Sequence, residues 1–208
     1  MFIAIAGNIG SGKTNLTKTL AARLNFKTCL EDFFAENPYL ERFYQDKKKW
    51  AFHSQLFFLA QSIKNHHDIA EAKESVIQDR SIYENAEVFA KLLYEDGLMD
   101  EDEWRVYSDI YKSVADLLPA PDIIIYLKAD IETLLGRIRR RGRMVEQEIK
   151  KNREYIAKLN NRYDNWAKNF ERALILVVPI EGTDFRGRPQ EIEDLILKIE
   201  KLIGKKVA

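Results

Sequence analysis

The stretch Phe2-Ile3-Ala4-Ile5-Ala6-Gly7-Asn8-Ile9-Gly10-Ser11-Gly12-Lys13-Thr14 decides the fold. Its apolar opening reads as a buried strand, and Gly7–Thr14 completes a G-x-x-x-x-G-K-[ST] phosphate loop. Leu16, Leu20 and Leu24 then recur at helical spacing, so the loop lies between a strand and a helix. Glycines at Gly7, Gly10 and Gly12 let the backbone curl so that successive N–H groups face one phosphate chain. The helix N-terminus adds a favourable dipole, Lys13 reaches the outer phosphates, and the Thr14 hydroxyl suits Mg²⁺. This pattern implies a nucleoside triphosphate.

The chain has 208 residues, with 33 basic side chains balanced by 33 acidic ones. That length suits one α/β domain over 1–208, and the neutral balance gives no general pull toward nucleic acid or a membrane surface. No apolar run approaches the roughly 20 residues of a membrane span. The lone Cys29 cannot form an internal disulfide, and no Cys/His group has zinc spacing. Because the chain opens on a core strand rather than a cleavable leader, a cytoplasmic location is expected.

Strand-like runs at Phe2–Ala6, Phe26–Leu30, Ser75–Gln78, Pro121–Leu127 and Leu174–Val178 alternate with helical patterns. The alternation predicts a mainly parallel sheet with helices on both faces, consistent with several nearly continuous apolar strands. The Lys48–Asp68 segment, rich in Trp50, Phe52, Leu56, Phe57, Leu59 and Ile63, reads as a helix largely buried between layers. A second long helix is expected from Gln147 to Phe170, through Ile149, Ile156, Leu159, Tyr163 and Trp166.

Ligands of open parallel sheets bind beyond the carboxyl ends of the strands, which directs attention to Asp79-Arg80-Ser81 and Glu31-Asp32. Asp79 beside the phosphate loop suits Mg²⁺, and Arg80 can hold a phosphate or a carboxylate. A carboxylate at Glu31 or Asp32 can accept the proton of a substrate hydroxyl. The segment from Arg137 to Arg143 holds Arg137, Arg139, Arg140, Arg141 and Arg143, and reads as a cationic lid over the transferring phosphate. Neither an Asn-Lys-x-Asp signature nor an Asp-x-x-Gly turn after Asp79 supports a signalling GTPase. His53 is expected as a hydrogen-bonded core histidine, and His66 and His67 as imidazolium groups favoured by a helix end.

Taken together, these residues resemble the deoxynucleoside kinase family, especially its bacterial deoxyadenosine/deoxyguanosine kinase-like members. The likeness runs through Gly7–Thr14, Asn37-Pro38-Tyr39-Leu40 with Phe43-Tyr44, Trp50-Ala51-Phe52 with Gln55, Asp79-Arg80-Ser81, the Arg137–Arg143 lid and Glu154-Tyr155. It implies a P-loop kinase-type fold and ATP-dependent phosphorylation of a deoxynucleoside 5′-hydroxyl. Under it, Glu31 is the general base, with Asp32 the alternative, while Arg80 holds that carboxylate and the 5′-oxygen and Lys13 works on the phosphates. Tyr44 and Glu154 would read the sugar 3′-hydroxyl, Gln55 the base edge, and Phe89 the base face. Asn8, Ile9, Ser11 and the loop glycines with Lys13 and Thr14, then Arg137, Arg141, Arg143 and Phe185, would hold ATP. Thr14 and Asp79 would hold Mg²⁺.

Two positions depart from the family pattern: Ser62 stands where an arginine is usual, and Asn85 where an aspartate is usual. The base therefore stays open, with purine preferred. Asn85 keeps its place on the base-binding side. The resemblance also implies a homodimer, with no nucleic acid or membrane partner. A thymidylate-type monophosphate kinase and a non-catalytic nucleotide-binding module are the competing readings.

Overall fold

The computed structural model describes residues 1–31, 36–141, 153–185 and 187–204, with the Arg141 side chain left out. Five strands form one sheet in the order β2-β3-β1-β4-β5. They are β1 (Phe2–Gly7), β2 (Lys27–Cys29), β3 (Val76–Asp79), β4 (Ile123–Lys128) and β5 (Leu174–Pro179). All four pairings are parallel. Each strand falls within a run expected from the sequence or overlaps it, and the mainly parallel sheet is as expected.

The central strand shows why its sequence does not alternate. Phe2, Ala4 and Ala6 enter the core on one face, while Ile3 and Ile5 enter the core on the other. Burying each isoleucine contributes about 1.5–3 kcal/mol. The Ile3 face is covered by α1 (Lys13–Leu24), α7 (Ile131–Arg141) and α9 (Pro189–Ile203). The Phe2 face is covered by α2 (Leu40–Gln45), α3 (Lys47–Glu71), α4 (Ile82–Glu84), the π-helical turn Asn85–Ala90, α5 (Lys91–Glu95), α6 (Glu101–Ala115) and most of α8 (Arg153–Asn169). Ile156 of α8 joins the opposite core, so this helix spans the sheet's end. The part of the expected second long helix before residue 153 lies outside the described residues.

Two expectations need correction. Within α3, Ala51, Ser54, Gln55, Phe58, Leu59, Ser62, His66 and Ile69 form the buried stripe, while Trp50, Phe52, Leu56, Phe57 and Ile63 are only half-buried. The helix is thus covered on one side, because no described element packs over its outer face. The histidines are reversed in role. His53 is exposed among the rings of Tyr39, Trp50 and Phe52, whereas His66 is buried and its Nε2 accepts from the Ile82 amide at 3.3 Å. Burial pushes His66 down to about 4, so it is neutral rather than an imidazolium at a helix end. Of the two histidines expected at the helix end, only His67 stays at the surface, its Nε2 3.6 Å from Glu71.

Candidate active site

The phosphate loop lies at the carboxyl end of β1, flanked by the ends of β3 and β4. Gly10 and Gly12 take φ values of +84° and +95°. A Cβ at Gly10 would lie 2.9 Å from both Ile138 Cγ1 and the Leu134 carbonyl, so glycine is required by space as well as by backbone angle. No side chain caps α1 at Gly12, which leaves its first amides facing the loop, where an anion fits. Lys13 Nζ donates to the carbonyls of Gly7 at 2.7 Å and Asn8 at 3.2 Å. Burial, with the Arg80 charge second, pushes Lys13 down to about 8 against the pull of Asp79, Glu84 and Glu31.

Neighbouring elements brace this loop. Asn8 Nδ2 donates to the Ile156 carbonyl at 3.0 Å and to Asn160 Oδ1 at 2.9 Å, while Asn160 Nδ2 donates to the Ala129 carbonyl at 2.7 Å. Asn8 is therefore a brace to α8 in this structure. Ile9 is half-buried and packs against both cores. Arg137 donates to the carbonyls of Ser11 at 2.8 Å, Ile180 at 3.1 Å and Thr183 at 3.3 Å. It joins the phosphate loop to the turn that precedes half-buried Phe185. Arg143 and Asp32 lie outside the described residues.

At the end of β3, Thr14 Oγ1 donates to Asp79 Oδ2 at 2.5 Å. The other oxygen, Asp79 Oδ1, is buried and has no hydrogen-bond partner among the described residues. An orphaned carboxylate oxygen beside a threonine hydroxyl and a phosphate cradle is a donor set that fits Mg²⁺.

Arg80 follows with φ +66°, a left-handed backbone uncommon outside glycine, and its amide donates to the Ile5 carbonyl at 3.1 Å. That turn sends its guanidinium toward Glu31, with Nη1 at 3.2 Å from Oε1 and 3.1 Å from Oε2. Phe89 lies face-on to the same guanidinium, its ring centroid 4.3 Å from Cζ. Burial pushes the Glu31 carboxyl up to about 7 against the pull of Arg80. A carboxylate poised near neutrality beside a fixed cation is suited to proton transfer.

The residues expected on the acceptor side lie on α2, α3, the π-helical turn and α8. Gln55 is buried on α3, and none of the described residues hydrogen-bonds its amide. Two turns later on the same helix, Ser62 accepts from Asn85 Nδ2 at 2.7 Å, so the two departures from the family pattern meet as one neutral pair. The π-helical turn keeps Asn85 and Phe89 one turn apart on its inner side, both buried. Tyr44 sits on α2, which the Asn37-Pro38 motif positions: Asn37 Oδ1 accepts from the Tyr39 amide at 2.9 Å, and its Nδ2 donates to Ser54 Oγ at 3.2 Å. Glu154 is the exception among the expected site residues. Its side chain is 79% exposed and lies 3.4 Å from Lys158 Nζ.

Glu84 was not singled out from the sequence. It is fully buried beneath the loop, accepting from the Gly7 amide at 3.2 Å and from the Tyr163 hydroxyl at 2.6 Å. Ser81-Ile82-Tyr83-Glu84 has the spacing of a capping box, a local signal that marks a helix start and reveals nothing of these distant partners. Asn160, within the expected helix, carried no signal at all.

A parallel sheet with a phosphate loop after its first strand and a buried carboxylate–arginine pair beside it defines a nucleotide-dependent phosphotransferase. A family model described as deoxynucleoside kinase matches residues 3–204. The chain is 40% identical over 203 residues to the deoxyadenosine/deoxycytidine kinase of Bacillus subtilis, covering 97% of this chain and 92% of that one. It is 32% identical over 210 residues to the deoxyguanosine kinase of the same organism, covering 97% of each. A solved deoxyadenosine kinase from M. mycoides, with products dCMP and a flexible dCDP bound, superposes with a TM-score of 0.83 at 30% identity, covering 97% of this chain and 100% of that one. The chain belongs to the deoxynucleoside kinase family.

Proposed function

We propose that this kinase transfers the γ-phosphate of ATP to the 5′-hydroxyl of a deoxynucleoside, with deoxyadenosine as its principal substrate. The observation that carries the reading is the buried Glu31–Arg80 pair at 3.1–3.2 Å, set beside the phosphate loop. Glu31 takes the proton of the 5′-hydroxyl while Arg80 holds the base and the attacking oxygen in line. Lys13 and the amides of Gly7–Thr14 take up charge on the phosphates, and Arg137, Arg141 and Arg143 close over them. Phe185 packs against the donor base. Thr14 and Asp79 hold Mg²⁺, which supplies charge neutralisation on the phosphates when bound.

On the acceptor side Phe89 stacks on the nucleobase, Gln55 pairs with its edge, and Asn85 borders that edge through Ser62. A carboxamide offers a donor and an acceptor side by side, the complement of an amino-bearing base edge. The names of the relatives support the purine preference, with adenine foremost and cytosine next. Tyr44 and Glu154 bind the 3′-hydroxyl once Glu154 turns inward from its surface position. The half-buried apolar side of α3 supports a homodimer, and the balanced charge supports action on a small molecule without nucleic acid or membrane. No helix among the described residues is long and apolar enough to cross a membrane, and we place the enzyme in the cytoplasm.

The test is phosphate transfer from labelled ATP with Mg²⁺ to deoxyadenosine, deoxyguanosine, deoxycytidine, thymidine and their monophosphates. Formation of dAMP at the highest kcat/KM is expected. Transfer to monophosphates alone would reassign the site to monophosphate kinase chemistry, and ATP binding without transfer would make it a regulatory module.

A further inference from the structure

Three buried carboxylates, Glu31, Asp79 and Glu84, share the space around two buried cations, Lys13 and Arg80. Glu31 pairs with Arg80 Nη1 at the position proposed for the acceptor, and Asp79 accepts from Thr14. Glu84 touches neither position. Its partners are all donors: the Gly7 amide and Tyr163 hydroxyl on Oε1, and the Ser81 amide on Oε2 at 3.4 Å. Arg80 Nε lies 3.7 Å from Oε1, too far for a hydrogen bond, and that buried nitrogen has no other partner among the described residues. A buried guanidinium keeps one orientation when opposite charges are set around it. Glu31 supplies one from the front, and Glu84 is the group that can supply the other from behind.

We propose that Glu84 is a positioning residue for phosphoryl transfer, its carboxylate holding the Gly7 amide and the Arg80 guanidinium in one geometry. The first residue of the phosphate loop and the cation of the acceptor side then share a single buried anchor, tied to α8 through Tyr163. Attack in line needs the 5′-oxygen and the γ-phosphate held to a fraction of an ångström. Glu84 is the described side chain that contacts the framework of both. The role rests on the function proposed above.

Glu84→Gln keeps size and shape but turns an amide NH₂ toward donors. In this variant kcat falls about 10–100-fold, the cost of a misplacement near one ångström. The KM values for ATP and for the deoxynucleoside stay within about threefold, since neither ligand touches the residue. The decisive comparison is with Arg80→Lys. If Glu84 acts through Arg80, the double variant loses no more kcat than Arg80→Lys alone, because the single losses report one shared geometry. An unchanged kcat in Glu84→Gln, or losses that multiply in the double variant, would overturn the role. Should Glu84→Gln fail to fold, Tyr163→Phe removes the shortest hydrogen bond to the Glu84 carboxyl while leaving the carboxyl itself in place. A drop in kcat that vanishes in the Arg80→Lys background supports the anchor, and a wild-type kcat removes it. A wild-type enzyme that forms no deoxynucleoside monophosphate would overturn the proposed function itself and this role with it.

Discussion

The phosphate loop is one run of consecutive residues, Gly7–Thr14, whereas the acceptor side proposed above draws Glu31, Gln55, Arg80, Asn85 and Phe89 from separate segments. The loop's geometry is written locally: glycines at positive φ, a strand before it and an uncapped helix after it. The acceptor cluster has no such local script. Glu31 and Arg80 meet because β2 and β3 pair side by side and end together, and Asn85 meets Ser62 because α3 packs on the π-helical turn. The more legible half is the more general one, and the half proposed to select the substrate is the one held by tertiary packing.

That contrast can be broken by substitution, starting where the effect is greatest. Removing the base by Glu31→Gln is expected to lower kcat on the order of 10²–10⁴-fold. ATP affinity measured by calorimetry should barely change. If Asp32→Asn produces this loss instead, the base sits one residue later. On the donor side, Lys13→Ala should lower kcat on the order of 10²–10³-fold, the scale of removing one preorganised charge donor. Binding of the deoxynucleoside alone should survive it, and equal loss of both affinities would erase the distinction between the two sides.

A pH profile sharpens the comparison further. The Glu31 carboxyl lies near 7, and only its ionised form accepts the hydroxyl proton. The kcat/KM for the deoxynucleoside should therefore fall about tenfold per pH unit below that value. The upper limit of the profile is set by loss of the Lys13 charge, which burial brings down to about 8. A profile flat from acid to neutral pH would show that Glu31 is not the titrating base. The smallest effect is expected at the brace between loop and helix. Asn160→Ala leaves Asn8 Nδ2 with one acceptor fewer and the Ala129 carbonyl without this donor. Such losses cost about 1–3 kcal/mol, which a thermal melt would register as a drop in Tm on the order of 5 °C. An unchanged Tm would mean that the loop stands without the brace.

By itself the sequence determined the parallel α/β architecture, because strands buried on both faces must be apolar throughout and helices must be amphipathic. It likewise determined the phosphate loop, whose function depends on neighbours in the chain. Asp79-Arg80-Ser81 and Glu31-Asp32 are legible as strand ends near that loop, and the family likeness favours Glu31 over Asp32. Tertiary structure decided what spacing cannot encode. It buried His66 and exposed His53, although both lie on one helix, because only one face of α3 meets the sheet. Ser62 and Asn85, separate departures in the chain, became one hydrogen-bonded pair. The same packing turned Glu84 from a local helix cap into a buried anchor between Gly7, Arg80 and Tyr163. The physical reason is common to all three: burial and charge pairing depend on which surfaces are pressed together, and those surfaces come from residues far apart in the chain.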